Sequence, residues 1–167
     1  YFYMHQFNDN KDSIARLFQH MWAVKYETYG DSVDIGFEEK GNVLYIYLEA
    51  SDEISDWILN FWFTKRPYKD MEIPYKVHGG FLKCWKSIED VVIAKIKPIM
   101  YKQIIIVGYS HGAALAMLCH ECVWYHRPDL RSTSFTIAID GPRVYAGFKV
   151  KKELKEHEEL LRYMEKR

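Results

Sequence analysis

The sequence lacks an excess of charge of either sign: 23 Lys and Arg residues balance 23 Asp and Glu residues among 167. This balance offers no electrostatic case for binding nucleic acid or an acidic membrane. No apolar run reaches membrane-spanning length, and no basic segment followed by an apolar one opens the chain. We expect a soluble protein, cytoplasmic or released. The first residue is Tyr1 rather than Met, from which we expect that an upstream segment was either removed or not seen.

Cysteine is scarce, and the three residues Cys84, Cys119 and Cys122 do not make a disulfide framework. On a helix, Cys119, Cys122 and His126 would share one face, which raises a metal site as an alternative. No fourth ligand lies nearby in the sequence, so small core side chains are the favoured interpretation and we predict no metal.

A length of 167 residues predicts one domain over residues 1–167, and a content of 49% hydrophobic and 16% aromatic residues indicates a globular protein. Apolar residues at helical spacing from Ile14 predict an amphipathic helix that closes near Tyr29 and Gly30. Residues 33–37 and 43–48 flank a turn composition and predict a β-hairpin whose second strand is central. A further helix is predicted from Phe81 to Ile96, before Pro98.

The chain is organised around residues 103–119, where a β-branched run, Ile104 to Val107, leads into G-x-S-x-G and then a run of good helix formers. This context predicts a nucleophile elbow, a turn so tight that it exposes the hydroxyl of Ser110. Gly108 and Gly112 suit the turn because a Cβ at either position would clash. The alternative is an ordinary glycine-rich turn with an idle serine.

Three further motifs accompany the elbow in order, over about residues 43–147. Ser51, Asp56-Trp57 and Asn60 follow the second hairpin strand; Val77-His78-Gly79-Gly80-Phe81 precedes the long helix; and Gly141-Pro142-Arg143-Val144 follows the strand at 135–139. Together with the elbow they resemble the signature of the class 3 (fungal-type) lipases. The resemblance implies an α/β-hydrolase-like three-layer sandwich, with a mostly parallel central sheet and an N-terminal hairpin, truncated at the C-terminal side.

The resemblance also assigns roles to individual residues. Ser110 would be the acylating nucleophile, and the backbone N–H groups of His111 and Ser51 would form the oxyanion hole. The His111 side chain should point away from the ester, and His78 should hold a loop near the oxyanion region rather than act as a base. No cofactor is implied, because acyl transfer by serine requires none.

Residues 53–63 would match the family's lid helix, with an apolar stripe at helical spacing. Its members are Ile54, Trp57, Ile58, Phe61 and Trp62. Such a stripe suits an element that covers an acyl pocket and makes transient contact with a lipid interface. The alternative is an amphipathic helix packed on the core, and Glu49 and Ala50 depart from the family's usual arginine and glycine.

The family's catalytic aspartate and histidine cannot be carried over, because the chain stops at Arg167, about where the aspartate is expected. Asp140 and His157 are poor substitutes, the first within the last motif and the second on a predicted charged helix over 148–167. That helix carries a heptad-like apolar stripe suited to self-association.

The predicted function is a serine-dependent lipase or esterase acting on a small-molecule or lipid ester. The alternative is a catalytically incomplete or engineered lipase-like protein that self-associates or binds lipid without turnover.

Overall fold

The computed structural model describes residues 11–50, 65–67, 76–139 and 145–146. Its helices are α1 (Lys11–His20), α2 (Gly79–Ile96) and α3 (His111–His126), with short 3₁₀ turns at Met21–Ala23 and Pro128–Leu130. Its strands are β1 (Glu27–Tyr29), β2 (Val33–Lys40), β3 (Val43–Ala50), β4 (Lys65–Pro67), β5 (Lys76–His78), β6 (Gln103–Tyr109), β7 (Phe135–Ile139) and β8 (Tyr145–Ala146). No described helix is both long and apolar enough to cross a membrane.

The main sheet has five strands in the order β1-β2-β3-β6-β7. β1, β2 and β3 pair antiparallel, whereas β3, β6 and β7 run parallel. The predicted hairpin is therefore present, and its second strand lies at the centre of the sheet. Its turn is tight, since Lys40 pairs with Val43 and Gly41 has φ +60.

The first predicted helix ends earlier than the periodicity indicated. α1 stops at His20, and residues 27–29, which were predicted to be helical, form the edge strand β1. The reason is pairing with β2, where Glu27 lies opposite Ile35 and Tyr29 opposite Val33. Cross-strand pairing of distant residues here outweighs a local helical pattern.

Helices cover both faces of the main sheet, in three layers. Along β6 the side chains alternate, so that Ile104 and Ile106 pack with α2 and α3 while Ile105 and Val107 pack with α1. The predicted burial of this strand on both faces is confirmed, because these four residues are at most 5% exposed.

The parallel strands end at one edge of the sheet. Leu48 of β3 pairs with Gly108 of β6, and Tyr109 pairs with Ile139 of β7. In open α/β sheets the carboxyl edge of the strands is where ligands bind. β5, in a small antiparallel sheet with β4 and β8, runs directly into α2 beside this edge.

The predicted lid over 53–63 and the predicted charged helix over 148–167 lie outside the described residues. Both stay predictions, as do self-association through the second and the single-domain assignment of residues 1–167.

Candidate active site

Ser110 occupies the turn between β6 and α3 in a backbone conformation that non-glycine residues rarely adopt. Its φ is 54° and its ψ is −121°, and it is the residue that precedes the first turn of α3. Hydrogen bonds fix the turn on both sides: the Ser110 N–H donates to the Ile139 carbonyl at 2.9 Å, and the Ser110 carbonyl accepts from the Ala113 N–H at 3.0 Å. A strained, well-held serine at a strand–helix corner is the geometry of a nucleophile elbow.

The two glycines of the motif let strand and helix approach closely. A Cβ on Gly108 would lie 2.4 Å from the Gly112 carbonyl oxygen, and a Cβ on Gly112 would lie 2.2 Å from the Leu48 carbonyl oxygen. Neither contact is possible for a real side chain, and in both cases the obstacle is backbone. The start of α3 is therefore pressed against the ends of both β6 and β3.

His111 begins α3, where the first backbone N–H groups have no acceptor within the helix and the helix dipole is positive. Its imidazole is half-buried and lies beside Phe81 of α2, with ring centroids 6.2 Å apart. The amide end of α3 is thus located next to Ser110, where negative charge would develop on an ester under attack.

His78 caps the start of α2 with its side chain. Its Nδ1 accepts a hydrogen bond from the Gly80 N–H at 3.2 Å, and its ring lies 5.0 Å from that of Phe81. A nitrogen that accepts carries no proton, so in the neutral ring the proton is on Nε2. This contact ties the His78 side chain to the first turn of α2, and its role near the oxyanion region stays a prediction.

Glu49, near the end of β3, replaces the arginine frequent in the family at this point. Burial, and secondarily the charge of Asp34 directly opposite on β2, raise the pKa of Glu49 above its ordinary value. Glu49 also contacts the elbow, because a Cβ on Gly112 would lie 3.2 Å from its Cα. The end of β3 therefore brings an acidic rather than a basic side chain to this edge of the sheet.

Several predicted site residues fall outside the described residues. They are Ser51 of the oxyanion hole, the lid residues Ile54, Trp57, Ile58 and Phe61, Asp140, the motif at 141–144, and His157. Their roles remain predictions.

The cysteines of α3 lie in the hydrophobic core. Cys119 and Cys122 are fully buried, and burial raises the pKa of both thiols, that of Cys122 to about 12. His126, by contrast, is exposed at the end of the helix. Protonated thiols are poor metal ligands, and the described residues contain no cluster of three His, Cys, Asp or Glu side chains suited to a metal ion.

Three aromatic contacts at the site were not predicted from the sequence. Phe81 was named only as the end of the motif over 77–81 and the start of the long helix, yet its ring touches both His78 and His111. Tyr109, next to Ser110, contacts the exposed ring of Trp22 at 5.7 Å between centroids. The contacts of Phe81 with His111 and of Tyr109 with Trp22 join residues remote in sequence, and periodicity within one element carries no signal for them.

Comparison with known proteins matches residues 45–167 to the family "Lipase (class 3)". A lipase from Rhizomucor miehei is 27% identical over 129 residues, a match that covers 74% of this chain but only 34% of that protein. The chain thus spans about a third of the length of this curated relative.

Solved structures agree on the fold. The propeptide complex of the Rhizomucor miehei lipase, in a deletion mutant, matches with a TM-score of 0.59 and 20% identity over 83% of this chain and 44% of that one. A triacylglycerol lipase from Penicillium expansum matches with a TM-score of 0.57 and 18% identity, over 73% of this chain and 50% of that one. A fungal lipase–inhibitor complex matches with a TM-score of 0.58 and 25% identity, over 73% of this chain and 49% of that one. These neighbours have the α/β-hydrolase fold, which confirms the predicted fold class.

Proposed function

Because the chain belongs to the class 3 lipase family, we propose that it carries the nucleophile and oxyanion donors of a serine-dependent hydrolase of carboxylic esters, with lipid esters as substrates. The observation that carries the proposal is the backbone of Ser110, at φ 54° between two glycines that admit no Cβ. Such strain persists only where the surrounding structure imposes it, and it concentrates at active sites.

The proposed reaction is acyl transfer in two steps. The Ser110 hydroxyl attacks the ester carbonyl while a general base takes its proton, and the resulting oxyanion accepts hydrogen bonds from the N–H groups of His111 and Ser51. Collapse expels the alcohol, which leaves with that proton, and water then hydrolyses the acyl-enzyme and restores Ser110. The family resemblance assigns the base and its orienting aspartate to a histidine and an aspartate that follow the last motif.

A lipid ester as substrate agrees with the apolar stripe proposed for the lid. Ile54, Trp57, Ile58 and Phe61 would cover the acyl pocket and turn toward a lipid surface. The structure of the similar fungal lipase–inhibitor complex is described as a model for interfacial activation in lipases. This likeness supports the same proposal for the present chain.

The test is hydrolysis of p-nitrophenyl butyrate by the full-length protein and its Ser110→Ala variant. We expect the variant to lose at least about a thousand-fold in kcat, because the hydroxyl is the attacking group. Ser132→Ala, which alters an exposed serine in the turn before β7, is the matched control and should keep full turnover. Turnover that survives in Ser110→Ala would reject the assignment.

A further inference from the structure

The aromatic ring of Phe81 joins the start of α2 to the start of α3. Phe81 lies in the first turn of α2, is 1% exposed, and its ring contacts the rings of both His78 and His111. Ring centroids are 5.0 Å apart for Phe81 and His78, with planes tilted by 51°, and 6.2 Å apart for Phe81 and His111, with planes tilted by 47°. Both separations fall in the range of favourable aromatic contacts.

From this contact we propose that Phe81 is a positioning residue, which fixes the backbone N–H of His111 as an oxyanion donor. The inference rests on the proposed function, because it assigns Phe81 a role in the same ester hydrolysis. Phe81 acts through the His111 side chain and needs no contact with substrate.

The Phe81 ring is itself held by its contact with His78. The Gly80 N–H donates to Nδ1 of His78, so the imidazole that packs on Phe81 is tied to the first turn of α2. Val77, which precedes His78, is fully buried and pairs with Arg66 of β4 and Tyr145 of β8. The ring that touches His111 is therefore anchored to two strands as well as to its own helix.

The position of the His111 amide is sensitive to such an anchor. An oxyanion donor works only at hydrogen-bonding distance from where the charge forms, and displacements on the order of 0.5 Å weaken it. The elbow is held to β7 by the bond from Ser110 to Ile139 and is pressed on β3 at Gly112. Phe81 adds a contact from α2 to the side chain of His111, whose backbone N–H is the proposed oxyanion donor.

The test is a double-mutant cycle with Phe81→Leu, His111→Ala and the double variant. If the two rings act as one unit, each single variant lowers kcat ten-fold or more, while KM stays within about two-fold of the wild-type value. The kcat of the double variant should then be no lower than that of the less active single variant. Values are normalised to the folded fraction. Ile88→Ala is the matched control, since Ile88 is fully buried on α2 two turns away and should lower the melting temperature without changing kcat per folded molecule.

A second readout does not depend on turnover. In protein labelled with ¹⁵N-histidine, Phe81→Leu should shift the His111 amide resonance and lower its order parameter from about 0.85 toward 0.6, whereas Ile88→Ala should not. An unmoved amide, additive losses in the cycle, or a raised KM with unchanged kcat would each overturn the inference. A wild-type protein without esterase activity would reject the proposed function. The His111 amide resonance and order parameter would still show whether Phe81 positions that amide.

Discussion

At the scale of single residues, Ser110 shows that the proposed site is costly to the fold. A non-glycine residue in a sparsely populated region of backbone space loses about 1–3 kcal/mol, and Ser110 lies there with φ 54°. The surrounding hydrogen bonds and glycine contacts offset this cost. Stability and the proposed activity should therefore conflict at this one position.

Ser110→Gly is accordingly expected to be more stable than Ser110→Ala by about 1 kcal/mol, although both lack the nucleophile. Glycine adopts positive φ freely, and relief of strain exceeds the greater freedom that glycine gives the unfolded chain. Urea denaturation measures the difference. At Ser132, whose φ is not positive, the order should reverse, and glycine should be the less stable replacement.

Glu39 and Tyr101 form a second residue-scale feature, with consequences for pH. The Tyr101 hydroxyl donates to the Glu39 carboxylate, which Lys95 also approaches at 3.2 Å. The Tyr101 hydrogen bond, followed by that of Lys95, holds the pKa of Glu39 below its ordinary value, while burial and the Glu39 hydrogen bond raise the pKa of Tyr101 to about 12.

Tyr101→Phe should therefore cost stability at neutral pH but not in acid. A lowered carboxylate pKa in the folded state stabilises the fold above the ordinary value of 4.5, and the stabilisation is lost as pH falls through the folded value. The difference between wild type and variant should shrink below about pH 4.5 when urea denaturation is repeated from pH 8 to pH 3. Tyr125→Phe, at an exposed tyrosine, is the control; a gap for Tyr101→Phe that does not change with pH would contradict the prediction.

At the scale of elements, the contact between α3 and the strand ends decides whether the elbow forms. α3 approaches β3 so closely at Gly112 that its neighbour is a backbone carbonyl, which cannot move aside as a flexible side chain can. Small residues continue this approach, since Ala113, Ala114 and Ala116 are fully buried. The slim first turn of α3 is thus a packing requirement.

Gly112→Ala should lower the free energy of unfolding by about 2–3 kcal/mol, because its Cβ would overlap the Leu48 carbonyl oxygen. Gly41→Asn tests whether glycine replacement alone explains the loss. Gly41 has φ +60, but a Cβ added there would meet no atom within 4 Å, and asparagine tolerates this conformation, so the cost should stay below about 1 kcal/mol. Equal losses at both positions would contradict the packing argument.

At the scale of the whole molecule, Arg127 joins segments at the edge of the sheet opposite Ser110. Its guanidinium donates to the carbonyls of Ile96 at 2.7 Å, Pro98 at 3.0 Å and Tyr101 at 3.1 Å, and it pairs with Asp129 at 2.9 Å. One buried cation thereby satisfies the end of α2, the segment that enters β6 and the turn after α3.

Arg127→Met should cost about 2–4 kcal/mol of stability, since it removes the guanidinium donors from the buried carbonyls of Ile96 and Tyr101. The stability of Arg127→Lys should lie between that of the wild type and that of Arg127→Met, because lysine keeps the charge but not the planar fork of donors. Arg131→Met, at an exposed arginine nearby, should cost less than about 1 kcal/mol in the same urea experiment. A loss at Arg131 as large as that at Arg127 would show that the buried network has no special weight.

Most of the fold of the described residues follows from local pattern. The β-branched run of β6, the alanine-rich α3, the long α2 and the turn at Gly41 all lie where the sequence predicts them, because each depends on neighbours within a few positions. The predicted end of the first helix was wrong, because residues 27–29 form β1 by pairing with β2. At the candidate site, the glycine spacing around Ser110 could be predicted from the sequence, whereas the contact between Phe81 and His111 could not.

The sequence by itself determined the order of the four motifs and the strand–turn–helix around Ser110, because glycine's lack of a Cβ acts over only a few residues. Only the tertiary structure decided what surrounds that turn. Parallel pairing of β3, β6 and β7 brings Leu48 and Ile139 to the elbow, and α2 brings Phe81 to His111. Contacts between segments so far apart along the chain arise from the sheet, and no local pattern encodes them.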